Sequence, residues 1–414
     1  MKILLLSQHW APENSVPQRR WRWLADMLVS MGHEVTVVTP RKYVDSDLAL
    51  DTGKSERLLF SPRGFKGESL GKRIASQAWI ALGMLITVFR KRNDLKNFDL
   101  VVGTAPPVPT IAVAALAGAT LKKPYCIDLR DAWPDLLRNV GDWNKALDER
   151  RTFKYYVRVS AVAALRKVLT VVLTLCLERA KTVIVTSEDL AEKLNRSFDE
   201  SGVEQVPEVF TIRNVFPASV APSSIVKPAK VRGKLSVLYA GNIGRAQNLR
   251  NAVDAAQIAG ESGLEVTLWF VGTGAAKSAL EEYAKAKGVV VEVTPQRSLA
   301  SMAEVYSSCH SALVHLTDWE PLERAVPSKT YELIYLGVHI SGVVAGESAR
   351  LISGLRAGHV VAPEDPEALA ELWLDLDRHP EMLEIMSDGA EWVEQERESI
   401  VPRTMETILE QIEE

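Results

Sequence analysis

The segment AVPSKTYELIYLG, residues 325–337, combines residue types that can bind an anion and hydroxyl groups together. Pro327 and Ser328 favour a helix start, which puts Lys329 in the first turn, where the helix dipole disfavours a cation unless an anion faces it. Glu332 follows one turn later on the same face. The ammonium can then contact a diphosphate while the carboxylate accepts hydrogen bonds from sugar hydroxyls. The alternative is an internal Lys329–Glu332 ion pair on an exposed helix.

A glycine turn further upstream indicates phosphate binding. The run LSVLYAGNIGRAQNL predicts a buried strand ending at Gly241, a tight turn through Gly244 and then a helix. Arg245 lies where a phosphate would lie at such a helix start.

The following unit repeats this arrangement. Gly272 and Gly274 follow a second predicted strand and would let a ligand approach the backbone closely. A dinucleotide fingerprint needs a third glycine where Lys277 stands, so the pattern does not favour a nicotinamide enzyme. Each glycine turn alone is also compatible with a purely structural role.

The segment DLRDAWP in the first half carries charged residues at the end of another predicted strand. It contains Asp128, Arg130, Asp131 and Trp133. We take Asp131 as the first candidate for an acceptor-side carboxylate and general base. The alternative is a buried structural pair of Asp131 with Arg130.

Two arginines occupy the start of the first predicted helix. Pro17 favours a helix start, so Arg19 and Arg20 fall in the opening turn, where the dipole disfavours cations. An anionic ligand would explain them, and salt bridges to Glu13 or Asp26 would explain them equally well. We therefore group Glu13, Arg19 and Arg20 with the DLRDAWP residues as the candidate acceptor side.

These segments require a scaffold of alternating strands and helices. Short apolar runs separated by helical patterns predict parallel strands with right-handed crossovers and helices on both faces, an α/β fold. The runs are residues 3–6, 34–39, 100–103, 125–128 and 182–186, then 235–241, 266–272, 289–293, 312–316, 339–344 and 359–361.

The alternation predicts two doubly wound domains. The chain has 414 residues, more than one hydrophobic core usually serves. Residues 1–213 form the expected first domain, the proline-containing stretch 214–234 a linker, and residues 235–395 the second domain. The acidic helical tail, about residues 396–414, is expected to pack back on the first domain.

Charge and apolar patterning bear on location. Residues 1–213 carry a formal charge of +8 and residues 214–414 carry −12, so the first half is expected to meet something anionic, such as a membrane surface or a phosphorylated substrate. Solvated surface charge is the alternative. The apolar run 74–89 is too short to span a bilayer, and the stretch from Arg151 has a basic stripe typical of an interfacial helix. Ordinary core helices with solvated basic ends are the alternative.

Three dispersed cysteines and the absence of a signal-peptide pattern predict a cytoplasmic protein, peripheral on the inner face of the cell membrane.

The whole chain resembles the retaining GT-B glycosyltransferases of family 4, particularly the branch acting in bacterial surface polysaccharide and lipid-linked sugar assembly. The segments that carry the resemblance occur in family order. They are SQHWAPENSVPQRRWRWLADMLVSMGHEVTVVTP, DLVVGTAPP, DLRDAWPD, LERAKTVIVTSEDLAEKL, YAGNIGRAQNL, FVGTGAAKSAL and VPSKTYELIYLG. The resemblance implies two Rossmann-like domains facing each other across a cleft, with the acceptor held mainly by the first and the donor by the second.

The resemblance also implies roles for single residues. Lys329 would contact the donor diphosphate and Glu332 the ribose, and the turn from Gly241 to Gly244 would lie against the phosphates. Many members carry Arg and Lys where this chain has Asn242 and Gln247, which leaves Arg245 as the expected substitute cation. The first of the family's paired glutamates falls at Arg324.

The expected reaction is the transfer of a hexosyl or N-acetylhexosaminyl group, with retention implied by the resemblance alone. The donor would be a nucleotide diphosphate sugar, with UDP favoured and GDP possible, and the acceptor a glycan or lipid-linked molecule. Lys329 and Arg245 would stabilise the leaving diphosphate, and no metal, cofactor or nucleic acid is expected. A nucleotide-sugar epimerase of the same fold and a catalytically silent binding homologue are the alternatives.

Overall fold

The computed structural model describes residues 1–10, 13, 15–41, 56–62, 64, 70–137, 167–202, 205–218, 220–295, 301–386 and 388–413. The basic stripe predicted at residues 151–166 lies outside them. Contacts divide the chain into two units. The first takes Met1–Leu137, the described residues 167–216 and the tail from Ile400, and the second takes Pro217–Ser399.

A seven-stranded parallel sheet forms the centre of the first unit. Its spatial order is β3-β2-β1-β4-β5-β6-β7. Most of its strands are buried on both faces, as parallel strands covered by helices must be, which explains their continuous apolar sequence. The strands are β1 (Lys2–Leu6), β2 (Glu34–Pro40), β3 (Glu56–Ser61), β4 (Leu100–Ala105), β5 (Tyr125–Leu129), β6 (Thr182–Val185) and β7 (Glu208–Thr211).

Helices cover this sheet. One apolar cluster joins the strands to the inner faces of the helices that follow β3, β4 and β5. The helices are α1 (Val16–Ser30), α2 (Leu70–Arg90), α3 (Arg92–Leu95), α4 (Pro109–Leu121), α5 (described residues 167–178) and α6 (Glu188–Ser201).

The second unit has a six-stranded parallel sheet in the order β10-β9-β8-β11-β12-β13. Its strands are β8 (Lys234–Ala240), β9 (Glu265–Val271), β10 (Val291–Thr294), β11 (Ser311–His315), β12 (Ile340–Val343) and β13 (Gly358–Val361). Its helices are α7 (Arg250–Glu261), α8 (Lys277–Lys287), α9 (Met302–Ser307), α10 (Ser328–Leu336), α11 (Gly346–Gly354), α12 (Pro366–Arg378) and α13 (Asp388–Gln395).

Each sheet therefore belongs to a doubly wound, Rossmann-like domain, and the predicted α/β class is confirmed. Every apolar run named from the sequence forms a strand of one of the two sheets. Two further strands, β3 and β7, had no counterpart in the prediction, and they are the two edges of the first sheet.

The end of the chain contributes to the first unit. A five-residue π-helical segment, Glu396–Ile400, leads into α14 (Val401–Glu413). This helix buries Val401, Met405, Ile408 and Leu409. It contacts β7, and Gln411 donates a hydrogen bond to Glu208 at the start of that strand.

No helix in the described part of the chain combines the length and the apolar character that a membrane span requires. The longest, α2, has 21 residues.

Candidate functional site

The strand order reverses once in each sheet. In the first sheet β1 lies between β2 and β4, and in the second β8 lies between β9 and β11. Chain segments leaving the two central neighbours turn to opposite sides of the sheet, which opens a crevice beyond their carboxyl ends. Ligand-binding residues are therefore expected at these two crevices.

The turn after β8 is fixed by backbone hydrogen bonds to the turn after β9. Gly241 donates to Val271 over 3.0 Å, Ile243 donates to Thr273 over 2.9 Å, and Ala276 returns a bond to Ile243 over 3.0 Å. The two glycine turns predicted from the sequence therefore form one layered structure.

Gly272 and Gly274 are required by this layering. A Cβ atom on Gly272 would lie 1.8 Å from the carbonyl oxygen of Gly241, and one on Gly274 would lie 2.1 Å from that of Ile243. Both distances are far below van der Waals contact. The backbone that approaches these glycines is thus the chain's own neighbouring turn, whereas the sequence analysis had assigned the close approach to a ligand.

Gly244 brings two predicted donor-side residues together. A Cβ atom there would lie 2.4 Å from Nδ2 of Asn242 and 2.7 Å from Oε1 of Gln247, so both side chains lie over this glycine. Arg245 and Gln247 belong to a short 3-10 turn. Within the described residues, Nε of Arg245 and Oε1 of Gln247 are buried and make no hydrogen bond. Buried polar atoms are nearly always paired in folded proteins, so this turn has unused binding capacity.

His315, the last residue of β11, was missed by the sequence analysis. Its side chain is 2% exposed, and neither ring nitrogen makes a hydrogen bond of normal geometry to the described residues. Strand alternation puts it on the same face as Leu313, which packs in the core cluster of α7. Burial lowers the pKa of His315 to about 3, with the Gln247 backbone opposing this shift, so the imidazole is neutral at physiological pH. A histidine ending a strand beside a glycine turn is the signal that could have identified it.

The segment after β11 begins at this same turn. Thr317 donates its N–H to the carbonyl of Ala246 over 2.9 Å, and its hydroxyl donates to Glu364. The chain then passes through a 3-10 turn, Glu320–Arg324, in which Arg324 pairs with Glu320. Arg324, where the family places a glutamate, therefore has an acidic partner one turn away.

Helix α10 carries the second group of predicted residues. It starts at Ser328 after Pro327, as predicted. Nζ of Lys329 lies 2.8 Å from Oε2 of Glu332 and donates to the hydroxyl of Tyr306 over 2.7 Å, and that hydroxyl donates to Oε1 of Glu332 over 3.1 Å. The Lys329–Glu332 pair considered as an alternative is thus formed, with Tyr306 as a third member that the sequence analysis did not name. The lysine is the more accessible partner, 31% exposed against 7% for the glutamate.

In the first unit, Arg20 and Asp128 are paired inside the core. Their side chains are both 0% exposed, with 2.8 Å between Nη2 and Oδ1. Trp21 donates to the same carboxylate over 2.7 Å, and Arg20 also donates to the carbonyl of Ile212 over 2.8 Å and to Asn214 over 3.1 Å. The pair is inaccessible and hydrogen-bonded on all sides. It connects α1 to β5 and to the segment after β7. The acids proposed from sequence as partners for Arg20 are engaged elsewhere, because Glu13 pairs with His9 and Asp26 with Arg22.

Arg130 joins two strand ends. Its side chain donates to the carbonyls of Ala105 and Pro106. The hydroxyl of Thr186 donates to the backbone carbonyl of Arg130 over 3.0 Å. Burial lowers the pKa of Arg130, with Asp128 opposing the shift. This arginine holds the loop after β4 against β5.

Asp131 lies just beyond β5 and is partly accessible, as is Trp133, whose backbone N–H donates to the backbone carbonyl of Asp131 over 2.7 Å. Burial raises the pKa of the Asp131 carboxyl, and the neighbouring Arg130 counteracts this effect. A raised carboxyl pKa is the environment that a general base needs.

Arg19 faces a different environment from Arg20. Its guanidinium lies 4.6 Å from the centroid of the Phe216 ring, a cation–π contact. Of the acceptor-side residues, Glu13, Arg19, Asp131 and Trp133 are accessible at least in part, whereas Arg20, Asp128 and Arg130 are buried.

Within the described residues, no group of three or more His, Cys, Asp and Glu side chains is arranged to hold a metal ion.

Two models of known protein families match the chain. Residues 17–207 match the family model "Glycosyl transferase 4-like domain", and residues 234–378 match the model "Glycosyl transferases group 1". No curated protein matches the chain in sequence.

Solved structures resemble the chain over its whole length. Sucrose-phosphate synthase from Thermosynechococcus elongatus has a TM-score of 0.70 at 16% identity and covers 99% of this chain and 98% of its own. HepE from Anabaena, solved with UDP and glucose, has a TM-score of 0.63 at 16% identity, covering 99% of each chain. WaaG, a glycosyltransferase involved in lipopolysaccharide biosynthesis, has a TM-score of 0.60 at 16% identity, covering 98% of this chain and 99% of its own. Two successive glycosyltransferase models and a shared two-domain fold show that this chain belongs to the GT-B glycosyltransferases.

Proposed function

We propose that this glycosyltransferase takes a hexosyl or N-acetylhexosaminyl group from a UDP-sugar, with a GDP-sugar as the second donor class, and transfers it with retention. The observation that carries the donor assignment is the set of buried polar atoms on Arg245, Gln247 and His315 beside the turn after β8. Buried polar atoms that lack a partner among the described residues favour a ligand that supplies one, as the phosphate and base of a nucleotide do. The UDP complexes of HepE support the choice of UDP.

The proposed mechanism is electrostatic. The bond between the anomeric carbon and the diphosphate oxygen breaks, and negative charge develops on the leaving oxygen. Lys329 and Arg245, with the amino terminus of α10, would stabilise that charge without a metal ion. Lys329 would reach the diphosphate by exchanging its contact with Tyr306, while Glu332 binds the ribose hydroxyls.

The acceptor would be a glycan or lipid-linked molecule bound by the first domain. Asp131 is the proposed base that removes the proton of the attacking hydroxyl as the new bond to the anomeric carbon forms. Its raised pKa supports this choice. We further propose that the enzyme works in cell-surface glycan synthesis as a peripheral protein on the inner face of the cell membrane. Glu13, Arg19 and Trp133 would contact the acceptor.

The first experiment is a thermal-shift panel of UDP, GDP, ADP and CMP without added metal. A ligand that binds only the native state raises the melting temperature, so selective stabilisation by UDP or GDP names the donor class. A protein that responds to none of the four nucleotides would contradict the donor-site assignment.

The second experiment measures turnover of the donor identified by that panel. Lys329→Ala and Glu332→Ala should each lower kcat by about 100-fold or more, the usual cost of removing a preorganised charge-stabilising group, and leave the fold intact. Lys285→Ala, an exposed lysine on α8, is the matched control and should keep wild-type rates. Wild-type rates in either site variant would remove the donor assignment, and sugar conversion without an acceptor would identify an epimerase.

A further inference from the structure

The first unit exposes an unusual number of large apolar side chains on three of its helices. Each is between 38% and 61% exposed, and together they form a surface that we call the apolar helix face. Its members are Ile74, Trp79, Leu82, Ile86 and Phe89 of α2, Leu116 of α4, and Val168, Leu169, Val171, Val172 and Leu175 of α5. Single exposed apolar residues are normal, but contiguous groups mark interaction sites.

Topology puts these three helices in one layer. The connections from β3 to β4, from β4 to β5 and from β5 to β6 all advance in the same direction across the sheet. Right-handed crossovers then place α2, α4 and α5 on the same side. Helices α2 and α4 contact each other, and the inner residues of all three share one apolar cluster. The exposed residues consequently lie on the outward side of a single helix layer.

Helix α2 is apolar on two faces. Trp79, Leu82, Ile86 and Phe89 recur at intervals of three and four residues, which defines one stripe, and this stripe is exposed. The opposite side carries the buried residues Ile80, Met84 and Val88. Packing on the sheet therefore explains only one of the two faces.

Helix α5 repeats this pattern. Val168, Val171, Val172 and Leu175 follow helical spacing on the exposed side, whereas Leu173 and Leu177 face the core. The inner residues make the core contacts of this helix, so packing of the domain does not explain why the exposed side is apolar as well.

Positive charge flanks the apolar stripe of α2. Residues 70–96 contain Lys72 and Arg73 before the stripe, Arg90, Lys91, Arg92 and Lys96 after it, and Asp94 as the single acid. The guanidinium of Arg92 lies 4.5 Å from the centroid of the Phe89 ring, so charge and apolar surface are directly adjacent. Segments that lie in a bilayer interface typically carry tryptophan and phenylalanine between basic residues.

We infer that the apolar helix face docks on an anionic lipid bilayer, with Trp79 and Phe89 inserted among the headgroups and the flanking Lys and Arg residues facing the phosphates. Charge decides between this occupant and a second copy of the chain. A two-fold interface through α2 would bring identical basic segments near each other, which is repulsive, whereas an anionic surface is complementary to them. The inference deepens the proposed function, since it supplies the membrane contact for a membrane-held acceptor, but lipid binding needs no substrate and is tested separately.

The test is co-sedimentation of the full chain with vesicles of phosphatidylcholine alone or with 30 mol% phosphatidylglycerol, a composition of about one anionic lipid in three. We expect binding to the anionic vesicles, weakened by salt because Debye screening reduces the attraction. Trp79→Glu with Leu82→Glu should lower the partition coefficient about tenfold or more. The matched control is Val231→Glu with Val290→Glu, which changes two exposed apolar residues of the second unit and should bind as the wild type does.

A second readout uses a conservative variant, so that loss of lipid contact is distinguished from misfolding. Trp79→Phe preserves the apolar surface, so it should bind anionic vesicles like the wild type and lose part of the fluorescence quenching that brominated lipids cause. Three results would overturn the inference: no binding to anionic vesicles, equal loss in the face and control variants, or a concentration-dependent dimer that the face variants abolish. UDP stabilisation without vesicle binding would leave the donor assignment intact and remove only the docking surface.

Discussion

Arg20 and Arg245 occupy comparable places in the two units and differ in how their hydrogen-bonding capacity is used. Each follows the central strand at which the order of its sheet reverses, β1 for Arg20 and β8 for Arg245. Arg20 is completely buried and bonded to Asp128, Asn214 and the carbonyl of Ile212. Arg245 is half-buried, and its Nε makes no hydrogen bond within the described residues.

This difference separates a structural cation from a ligand-binding one. Removing one member of a buried, hydrogen-bonded ion pair leaves an uncompensated charge, so the first arginine should matter for stability. A cation with unused donors gains its partners from a ligand, so the second should matter for affinity. Sequence position alone does not distinguish the two cases.

The largest effect is expected from Arg20→Ala. It should lower the free energy of unfolding by about 3–5 kcal/mol, because Asp128 would remain buried with only the more distant Arg130, 3.9 Å away, as a cationic partner. The measurement is urea denaturation, with Arg22→Ala as control, since the partly exposed Arg22–Asp26 pair should contribute less than about 1 kcal/mol. Equal losses in the two variants would contradict a structural role for the buried pair.

The second-largest effect is expected from Gly274→Ala. It should lower the free energy of unfolding by up to about 3 kcal/mol, because the new methyl group would overlap backbone atoms of Ile243. Gly260→Ala on α7 is the control. No atom lies within 4 Å of a Cβ there, so helix propensity should make it stabilising by about 0.5–1 kcal/mol. Tolerance of alanine at residue 274 would mean that the two turns are not tightly layered.

Arg245→Ala should affect ligand affinity and leave stability unchanged, the opposite of what we expect for Arg20→Ala. We expect UDP affinity to fall about 10- to 100-fold, the cost of one or two charge-assisted hydrogen bonds, with unfolding free energy unchanged within about 0.5 kcal/mol. Isothermal titration calorimetry measures the first quantity and urea denaturation the second. Unchanged affinity with reduced stability would make Arg245 a structural residue like Arg20.

His315 gives the smallest effect and a pH dependence. Its folded pKa of about 3 lies below the unfolded value of 6.5, so the unfolded state takes up the proton first. Its contribution to stability is therefore complete above pH 6.5 and is lost as the pH falls toward 3, by about 2 kcal/mol at pH 5. His315→Gln should show a correspondingly shallower decline between pH 7 and 5 in thermal or urea unfolding. An identical pH profile would indicate that the ring is already protonated or solvated in the native protein.

The sequence predicted the fold well because interior strands are recognisable by themselves. Their apolar runs are continuous, as burial on both faces requires. The strands that it missed, β3 and β7, lie at the two edges of the first sheet, and the described side chains of β7 are half-buried or exposed. An edge strand needs fewer apolar residues, so its sequence resembles that of a loop.

The site was less predictable because its contacts join distant residues. Sequence spacing placed Lys329 beside Glu332, but Tyr306 reaches the same pair from a different helix. Asp128 is more than a hundred positions from Arg20 in sequence, whereas the acids considered first were close neighbours. Local spacing identifies groups on one helix, and only the packing of the domain decides which distant group completes them.

The position of α14 has a consequence for the order in which the chain is made. Its four buried side chains belong to the first unit, yet they are translated after the whole second unit. On the ribosome, residues up to Phe216 emerge long before their last packing partner exists, and the apolar surface that α14 covers stays exposed meanwhile. The first domain to be synthesised is thus the last to be completed, and expressing it alone would require covering that surface or supplying the helix as a separate segment.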